Sequence, residues 1–167
     1  LMNSSLPLVA RTPHTKHQPV GVIDIGSHSF RMVIYRRYGR YPLPLFNERV
    51  TVKLGEGLDK NEILSPKKIE LGLSALRRFS HIMQAISLER TFVIATAAVR
   101  RAKNATDFTK PAEDILGAPV TILSAQDEAR LVTLGLTANL KNISGLIADL
   151  GGGSLELVLV KNGNVQE

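Results

Sequence analysis

The sequence contains no cysteine and no tryptophan, and only 5% of its 167 residues are aromatic. Without cysteine, disulfide scaffolds, thiolate metal sites and cysteine nucleophiles are excluded. The four histidines are scattered along the chain, which disfavours a histidine-built zinc site. No apolar run approaches the roughly 20 residues that a membrane-spanning helix needs. The scarcity of aromatic side chains also argues against a specific nucleic-acid-binding surface built from stacking platforms.

The composition that remains is that of a globular protein, with 44% hydrophobic and 22% charged residues. This balance excludes disordered, collagen-like and coiled-coil classes, and a chain of this length can bury about two-thirds of its unfolded surface. The excess of 21 Lys and Arg over 15 Asp and Glu gives a formal charge of +6, a weak indication of an anionic partner or substrate.

Residues 1–19 contain several prolines, serines and threonines and show no sustained periodicity, so we predict a flexible leader there. The apolar stretch Leu6–Ala10 is too short for the core of a signal peptide. We therefore expect a cytoplasmic protein that associates with no membrane.

Short apolar segments separated by turn residues predict β-strands, and in Phe30–Tyr35 alternate side chains fall on opposite faces. A polar loop is expected at Gly55–Leu64 and a hairpin turn at Asn162-Gly163. The predicted strands are Val20–Asp24, Phe30–Tyr35, Leu43–Leu54, Arg90–Thr96, Val120–Leu123, Gly145–Leu150 and Leu155–Val160.

Helices are predicted at Ser65–Ser87, at Ala105–Leu116 and from Ser124 to about residue 140. The first has a serine N-cap followed by a proline, and Pro111 is expected to break or kink the second. The residues of the third helix expected to face inward are Ala129, Val132, Leu136 and Leu140. Strands followed by alternating helices and strands indicate an α/β layered fold.

An internal repeat carries the functional inference, because residues 23–34 match residues 148–159 at an offset of 125. In both copies an apolar strand ends in Asp, a turn of small residues follows, and Ser precedes a returning strand. The coinciding residues are Asp24 with Asp149, Gly26 with Gly151 and Ser29 with Ser154. One such hairpin is an ordinary tight turn, but turn chemistry alone does not demand that two hairpins share the Asp and the Ser.

This repeat suits a phosphate ligand. A turn rich in Gly and Ser exposes backbone N–H groups and lets an anion approach closely. An Asp at the strand end can hold Mg²⁺ that bridges to phosphate oxygens, or it can orient a water molecule. Two such hairpins could grip a phosphate chain from opposite sides of a cleft.

Five motifs occur in order, and together they resemble the exopolyphosphatase / guanosine pentaphosphate phosphohydrolase family of the actin-like ATPase-domain superfamily. The motifs are Asp24–Phe30, Thr96–Arg100, Asn104–Phe108, Ser124–Arg130 and Asp149–Glu156. The resemblance covers residues 20–167. It implies an α/β fold of the ribonuclease H-like, actin/ATPase type, a mixed sheet with flanking helices. Residues 20–143 would form the first domain, and residues 144–167 the opening β-hairpin of a truncated second domain.

The resemblance also implies a role for each matching residue. The two phosphate loops would be Asp24–Ser29 and Asp149–Ser154, with Glu128 as the catalytic base, Asp149 as the Mg²⁺ ligand and Arg100 as a phosphate contact. The residues expected to bind the cofactor or the substrate phosphate are then Asp24, Gly26, Ser27, His28, Ser29, Arg100, Gly151, Gly152, Gly153 and Ser154, with Asp24 acting through a cation or a water molecule because a carboxylate repels phosphate. From the residues alone, an acid in a first helical turn also simply complements the helix dipole, and an arginine is often a solvated surface charge.

Four positions depart from the family pattern, and none of them is the expected base or metal ligand. His28 stands where the family usually has Asn, and Ala125 replaces the usual Gly of the motif that contains the base. Asp127 shortens the first of two usual Glu side chains and retains a capping role. Lys53 stands where relatives often carry Arg, which keeps the charge but loses the planar fork.

The implied function is Mg²⁺-dependent hydrolysis that releases the terminal phosphate of inorganic polyphosphate or the 5′ γ-phosphate of guanosine pentaphosphate. The net positive charge favours polyphosphate as the substrate. We expect a homodimer for the full-length protein and little or no activity for the 167-residue piece. Two alternatives stay open: an ATP-binding relative of the sugar kinases or chaperones, and a non-catalytic polyanion binder.

Overall fold

The computed structural model describes residues 19–36, 42–138, 140, 143–153, 155–162 and 164–166. Of the expected leader at residues 1–19, only Pro19 lies within this part of the chain. The described residues form two separate sheets with helices that connect and flank them. No helix in these ranges has the length and apolar character needed to cross a membrane.

The first sheet has five strands in the order β3-β2-β1-β4-β5. They are β1 (Val20–Ile25), β2 (Ser29–Tyr35), β3 (Pro44–Thr51), β4 (Arg90–Ala95) and β5 (Val120–Ile122). Strands β1 to β3 pair antiparallel, whereas β4 and β5 run parallel to β1 because helices cross over between them. The carboxyl ends of β1, β4 and β5 therefore meet at one edge of the sheet, where an α/β sheet ordinarily binds its ligand.

The helices are α1 (Leu58–Asn61), α2 (Pro66–Gln84), α3 (Ala97–Arg101), α4 (Ala105–Leu116) and α5 (Ala125–Thr137). The core lies where α2 and α4 pack on the first sheet. Helix α2 begins as predicted, with the Ser65 hydroxyl accepting a hydrogen bond from the Lys68 N–H. Phe30 of β2 and Phe108 of α4 are fully buried, and their ring centroids lie 5.9 Å apart. This contact ties the first hairpin to the helical layer.

The second sheet consists of β6 (Gly145–Leu150), β7 (Leu155–Lys161) and β8 (Asn164–Val165), each antiparallel to the next. The predicted turn between the last two strands is confirmed, since Lys161 pairs with Asn164 and leaves two residues between them. Asn162 has a φ of 51°, the left-handed conformation that such tight hairpins require. Gly163, its predicted partner, lies outside the described residues.

Three local expectations differ from the structure, one of them only in part. Helix α4 is not broken at Pro111, because its buried face, with Phe108 and Ala112, packs against the core and compensates for the lost backbone hydrogen bond. The kink expected there stays a prediction. The segment Gly55–Leu64, expected to be a polar loop, contains helix α1, and its residues Leu58 and Leu64 are buried. Apolar side chains therefore anchor this connection to the core. Strand β3 (Pro44–Thr51) is shorter than the predicted strand Leu43–Leu54.

The inward face predicted for α5 is also wrong in part. Leu136 and Leu140 are exposed, Ala129 and Val132 are half-buried, and Thr133 is the buried residue of the helix. A single inward face for these four residues would require the helix to pack on one sheet only. Helix α5 instead contacts β6 and β7 of the second sheet while its first turn faces the first sheet.

Candidate active site

The first candidate phosphate loop connects β1 to β2 at the carboxyl edge of the first sheet. Asp24 lies next to the end of β1, and the loop closes with a hydrogen bond from the Gly26 N–H to the Ser29 carbonyl oxygen (3.2 Å). A β-carbon at Gly26 would lie 2.9 Å from that oxygen, so glycine is required for the turn. Both features follow from the small-residue turn that the sequence predicts.

The segment after β3 fixes the conformation of this loop through its backbone. The His28 carbonyl oxygen accepts hydrogen bonds from the N–H groups of Val52 (3.1 Å) and Lys53 (2.8 Å). The Ser27 carbonyl oxygen accepts one from Gly55 (2.9 Å). Because both carbonyl groups point into this segment, the loop is held in one position without help from a ligand.

The second candidate phosphate loop, between β6 and β7, lies directly against the first. A β-carbon at Gly152 would lie 2.5 Å from the His28 β-carbon, and one at Gly153 would lie 2.5 Å from the Ser27 hydroxyl oxygen. No larger residue fits at this contact without moving one of the two loops. Ser154, also expected in this loop, lies outside the described residues.

The two loops line a shared cleft of about 480 Å³. Ten of the residues predicted for the site meet there, from both copies of the repeat and from α5. The lining residues are Asp24, Gly26, Ser27, His28, Ser29, Arg49, Thr96, Glu128, Asp149, Leu150, Gly151, Gly152 and Gly153. Among them, Arg49, Thr96 and Leu150 were not predicted as site residues, and Gly151 completes the predicted second loop. The repeat therefore converges on one place in the fold.

Glu128 reaches the cleft from the first turn of α5, and only 14% of its side chain is exposed. Its Oε2 pairs with the guanidinium of Arg100 at 2.9 Å, and the same Nη1 donates to the carbonyl oxygen of Leu123 at 2.8 Å. Within the described chain, Oε1 of Glu128 forms no such bond. Arg100 is not among the residues that line the cleft, so its predicted phosphate contact stays a prediction.

Asp127, the acid next to Glu128, has a different role. The Ser124 hydroxyl accepts a hydrogen bond from the Asp127 N–H (3.0 Å) and donates one to its carboxylate (2.7 Å). Asp127 therefore belongs to the N-cap of α5, as expected from the sequence. The two neighbouring carboxylates are thus separated into a capping residue and a cleft residue.

Asp24 lies in surroundings that disfavour its charged form. Burial raises the pKa of Asp24 above the ordinary value of 3.8, and the negative charge of Glu128 and, less strongly, of Asp149 adds to this. The positive charges of Arg31 and Arg49 lower the same pKa in part. A bound cation would remove the repulsion among these carboxylates.

The carboxylates of the cleft fit a Mg²⁺ site in which the protein supplies few ligands and phosphate oxygens supply others. Among the described residues there is no group of three or more His, Asp or Glu side chains close enough to hold a metal by themselves. Mg²⁺ is commonly bound by one or two carboxylates together with water and substrate phosphates. Asp149, with Asp24 nearby, supplies that number of carboxylates.

Arg49 and Thr96 are residues that the sequence reasoning missed. Arg49 lies in β3 opposite Arg31 of β2, and Arg31 lies opposite Asp24 of β1, so the three residues share one face of the sheet. Only the strand register reveals this row, and the register is not readable from a single strand. Thr96 belongs to one of the recognised motifs, and it occupies the N-cap position of α3 directly after β4.

The chain is similar in sequence and fold to known proteins. A family model described as the Ppx/GppA phosphatase family matches residues 32–167. An exopolyphosphatase-like protein of known structure is 28% identical, with a TM-score of 0.84 over 91% of this chain and 49% of its own. The PPX-GPPA enzyme of Aquifex aeolicus is 29% identical, with a TM-score of 0.77 over 90% of this chain and 50% of its own.

An exopolyphosphatase from Cytophaga hutchinsonii is similar as well, at 25% identity and a TM-score of 0.82 over 89% of this chain and 48% of its own. The chain thus spans about half the length of these solved structures. The fold class expected from the sequence, an actin/ATPase-type domain with a mixed sheet and flanking helices, is confirmed. With a family model matched over most of its length, the chain belongs to the Ppx/GppA phosphatase family.

Proposed function

We propose that the protein is a Mg²⁺-dependent phosphoanhydride hydrolase that releases terminal phosphate from inorganic polyphosphate, from guanosine pentaphosphate, or from both. The observation that carries this proposal is the convergence of two Asp-Gly hairpins and the Glu128 carboxylate on one cleft. Family membership and the names of the similar structures support the same reaction class. For the whole protein we also propose a homodimer in the cytoplasm.

The residues divide the work of hydrolysis among them. Backbone N–H groups of the two loops, with the hydroxyls of Ser27 and Ser29, bind the terminal phosphate. Glu128 accepts the proton of the attacking water, and its low exposure limits competition from bulk solvent. Arg100 fixes one oxygen of this carboxylate and so directs the other toward the water. Mg²⁺ held by Asp149 would neutralise charge on the phosphate oxygens.

Inorganic polyphosphate is the substrate we favour. Arg49 of β3 lines the cleft, Arg31 of β2 lies next to it on the same face of the sheet, and the chain as a whole has a net charge of +6. A long polyanion gains from a cationic surface beyond the terminal phosphate, whereas a single nucleotide needs a base-binding surface. The preference is decided by comparing phosphate release from the two substrates.

Glu128→Gln in the complete protein tests the base. We expect at least about a 100-fold loss of Mg²⁺-dependent phosphate release, because the amide cannot accept the proton. Asp127→Asn is the matched control, since it changes the neighbouring carboxylate of the same helix turn and should leave the rate within about threefold. Equal rates for Glu128→Gln and the wild type, or an inert wild type on both substrates, would refute the proposal.

A further inference from the structure

A second cavity, of about 360 Å³, opens on the other side of the first loop. It is lined by Ser27, His28, Lys53, Gly55, Glu56 and Gly152. Three of these residues, Ser27, His28 and Gly152, also line the main cleft. The contact between His28 and Gly152 therefore forms the wall that separates the two spaces.

Lys53 has an unusual backbone in this cavity. Its φ of 55° lies in the left-handed region, which costs energy for any residue except glycine and is best tolerated otherwise by asparagine. The conformation is held because its N–H donates to the His28 carbonyl oxygen at 2.8 Å. Strained residues of this kind concentrate at binding sites, and here the strain places a lysine beside the phosphate loop.

The charge of Lys53 is not neutralised by an ion pair within the described residues. Glu56, the acid of the same cavity, is paired with Lys68 instead. The hydrogen bond and charge of Lys68 lower the pKa of Glu56, and the charges of Lys53 and Lys67 act in the same direction. The residues around the second cavity thus carry more positive than negative charge, and the Glu56 carboxylate is already paired with Lys68.

We propose that this second cavity is an anion subsite for an inner phosphate of a polyphosphate chain whose terminal phosphate lies in the main cleft, with Lys53 as its cation. The inference rests on the proposed function and adds a residue that determines which polyphosphate chain lengths the protein prefers. A chain that passes over the His28–Gly152 contact gains a charge-assisted contact that orthophosphate alone cannot make. Lys53 thereby favours longer polyphosphates over short ones.

The test measures binding in the complete protein, without Mg²⁺ so that hydrolysis does not interfere. The ligands are orthophosphate, pyrophosphate, tripolyphosphate and a long polyphosphate, each titrated by calorimetry. The test variant is Lys53→Asn, which removes the charge and keeps a residue that tolerates a positive φ, and Lys53→Arg restores the charge. Lys60→Asn is the matched control, an exposed lysine of α1 that lines neither cavity.

We expect Lys53→Asn to weaken binding of tripolyphosphate and long polyphosphate by about tenfold, and of orthophosphate by less than about twofold. Lys53→Arg and Lys60→Asn should stay close to the wild type, and the melting temperature of Lys53→Asn should not fall, because its backbone is less strained. A purely structural role would not produce a loss that depends on chain length.

Two results would overturn the inference while the proposed function stands. One is a Lys53→Asn variant that binds every ligand as Lys60→Asn does. The other is an equal loss of affinity for orthophosphate and for the longer chains, which would mean that the Lys53 charge attracts every anion in the main cleft without a separate subsite. A wild type that binds no phosphate compound and hydrolyses none would overturn the inference and the proposed function together.

Discussion

Asp24 is a carboxylate whose surroundings oppose its ionisation in the protein without bound cations. Burial is the largest cause of its raised pKa, followed by the charge of Glu128. A group with a raised folded-state pKa stabilises the fold below its unfolded-state pKa, and this contribution is lost as the pH rises through the folded-state value. The protein therefore loses stability as the pH rises toward the folded-state pKa of Asp24, which is an expected property of a site that a cation and a substrate complete.

Asp24→Asn should accordingly raise the melting temperature at pH 7, because the amide carries no charge to repel Glu128 and Asp149. The gain should shrink as the pH is lowered through the raised pKa of Asp24, because the wild-type carboxyl group then becomes protonated too. Thermal unfolding at several pH values measures this difference. Phosphate release should fall by at least about 100-fold, because Asp24 lines the cleft beside the proposed Mg²⁺ ligand Asp149 and its negative charge would help to hold the cation.

Glu89→Gln is the control for this prediction. Glu89 is an exposed acid whose side chain forms no hydrogen bond or ion pair within the described residues. Neutralising it should leave the pH dependence of the melting temperature unchanged. A stabilisation by Asp24→Asn that is the same at all pH values would contradict the electrostatic explanation, because packing alone does not titrate.

The types of residue in the site were readable from the sequence, but their partners were not. The motifs identified Glu128 and Arg100 separately, and nothing in their 28-residue separation indicates that the two side chains form an ion pair. Arg49 shows the same limitation, since it entered the cleft only through the pairing of β3 with β2. Local patterns predict which side chains can do chemistry, whereas contacts between distant segments depend on register and packing.

Among the structural elements, the two loops depend on each other through a contact that only glycine permits. Gly152→Ala would place a β-carbon 2.5 Å from the His28 β-carbon and 3.0 Å from its backbone nitrogen. We expect the loops to separate and phosphate release by the complete protein to fall by at least about tenfold, since a displacement of about 1 Å in a site can cost that much or more. The rate and the affinity for orthophosphate measure the effect.

Gly135→Ala provides the control, since a β-carbon there meets nothing within 4 Å and the residue lies in helix α5. It should leave the rate unchanged and stabilise the protein by up to about 1 kcal/mol, because alanine favours the helix over glycine. If Gly152→Ala matched Gly135→Ala in rate and affinity, the contact between the loops would not matter for binding.

The elements themselves were largely predictable, because their signals are local. The hydrophobic alternation of β2, the serine-proline start of α2 and the asparagine turn after β7 all act within a few residues. Helix α4 shows where this fails, since packing of Phe108 against Phe30 outweighs the local cost of Pro111. Helix α5 shows it again, because its burial depends on two sheets at once.

At the scale of the whole molecule, the second sheet has an apolar face that the described residues leave uncovered. Leucines of β6 and β7 stand opposite one another there in the strand register. Five of them are exposed by 55% or more: Leu146, Leu150, Leu155, Leu157 and Leu159. The other face of β7 buries Val158 and Val160. A face of this kind gains little from folding in water, so the second sheet is weakly supported in this chain.

Hydrogen exchange of the 167-residue chain measures this difference between the sheets. The amides of β6 and β7 should exchange at least about 100-fold faster than those of β1 and β4, because their opening exposes less buried apolar surface. The central strands of the first sheet serve as the internal control. Equal protection in the two sheets would contradict the prediction and show that the contacts of α5 suffice to hold the second sheet.

The same weakness bears on catalysis, because the second loop is carried by the second sheet. If β6 and β7 open often, the loop with Gly152 and Gly153 spends much of its time away from the first loop, and the cleft is incomplete. We therefore expect the 167-residue chain alone to release phosphate at no more than about one-hundredth of the rate of the complete protein. Binding of orthophosphate should weaken with it, since about half of the proposed phosphate contacts depend on that loop. Comparable rates for the two, at equal molar concentration and saturating Mg²⁺, would mean that the first sheet and α5 assemble the site without further support.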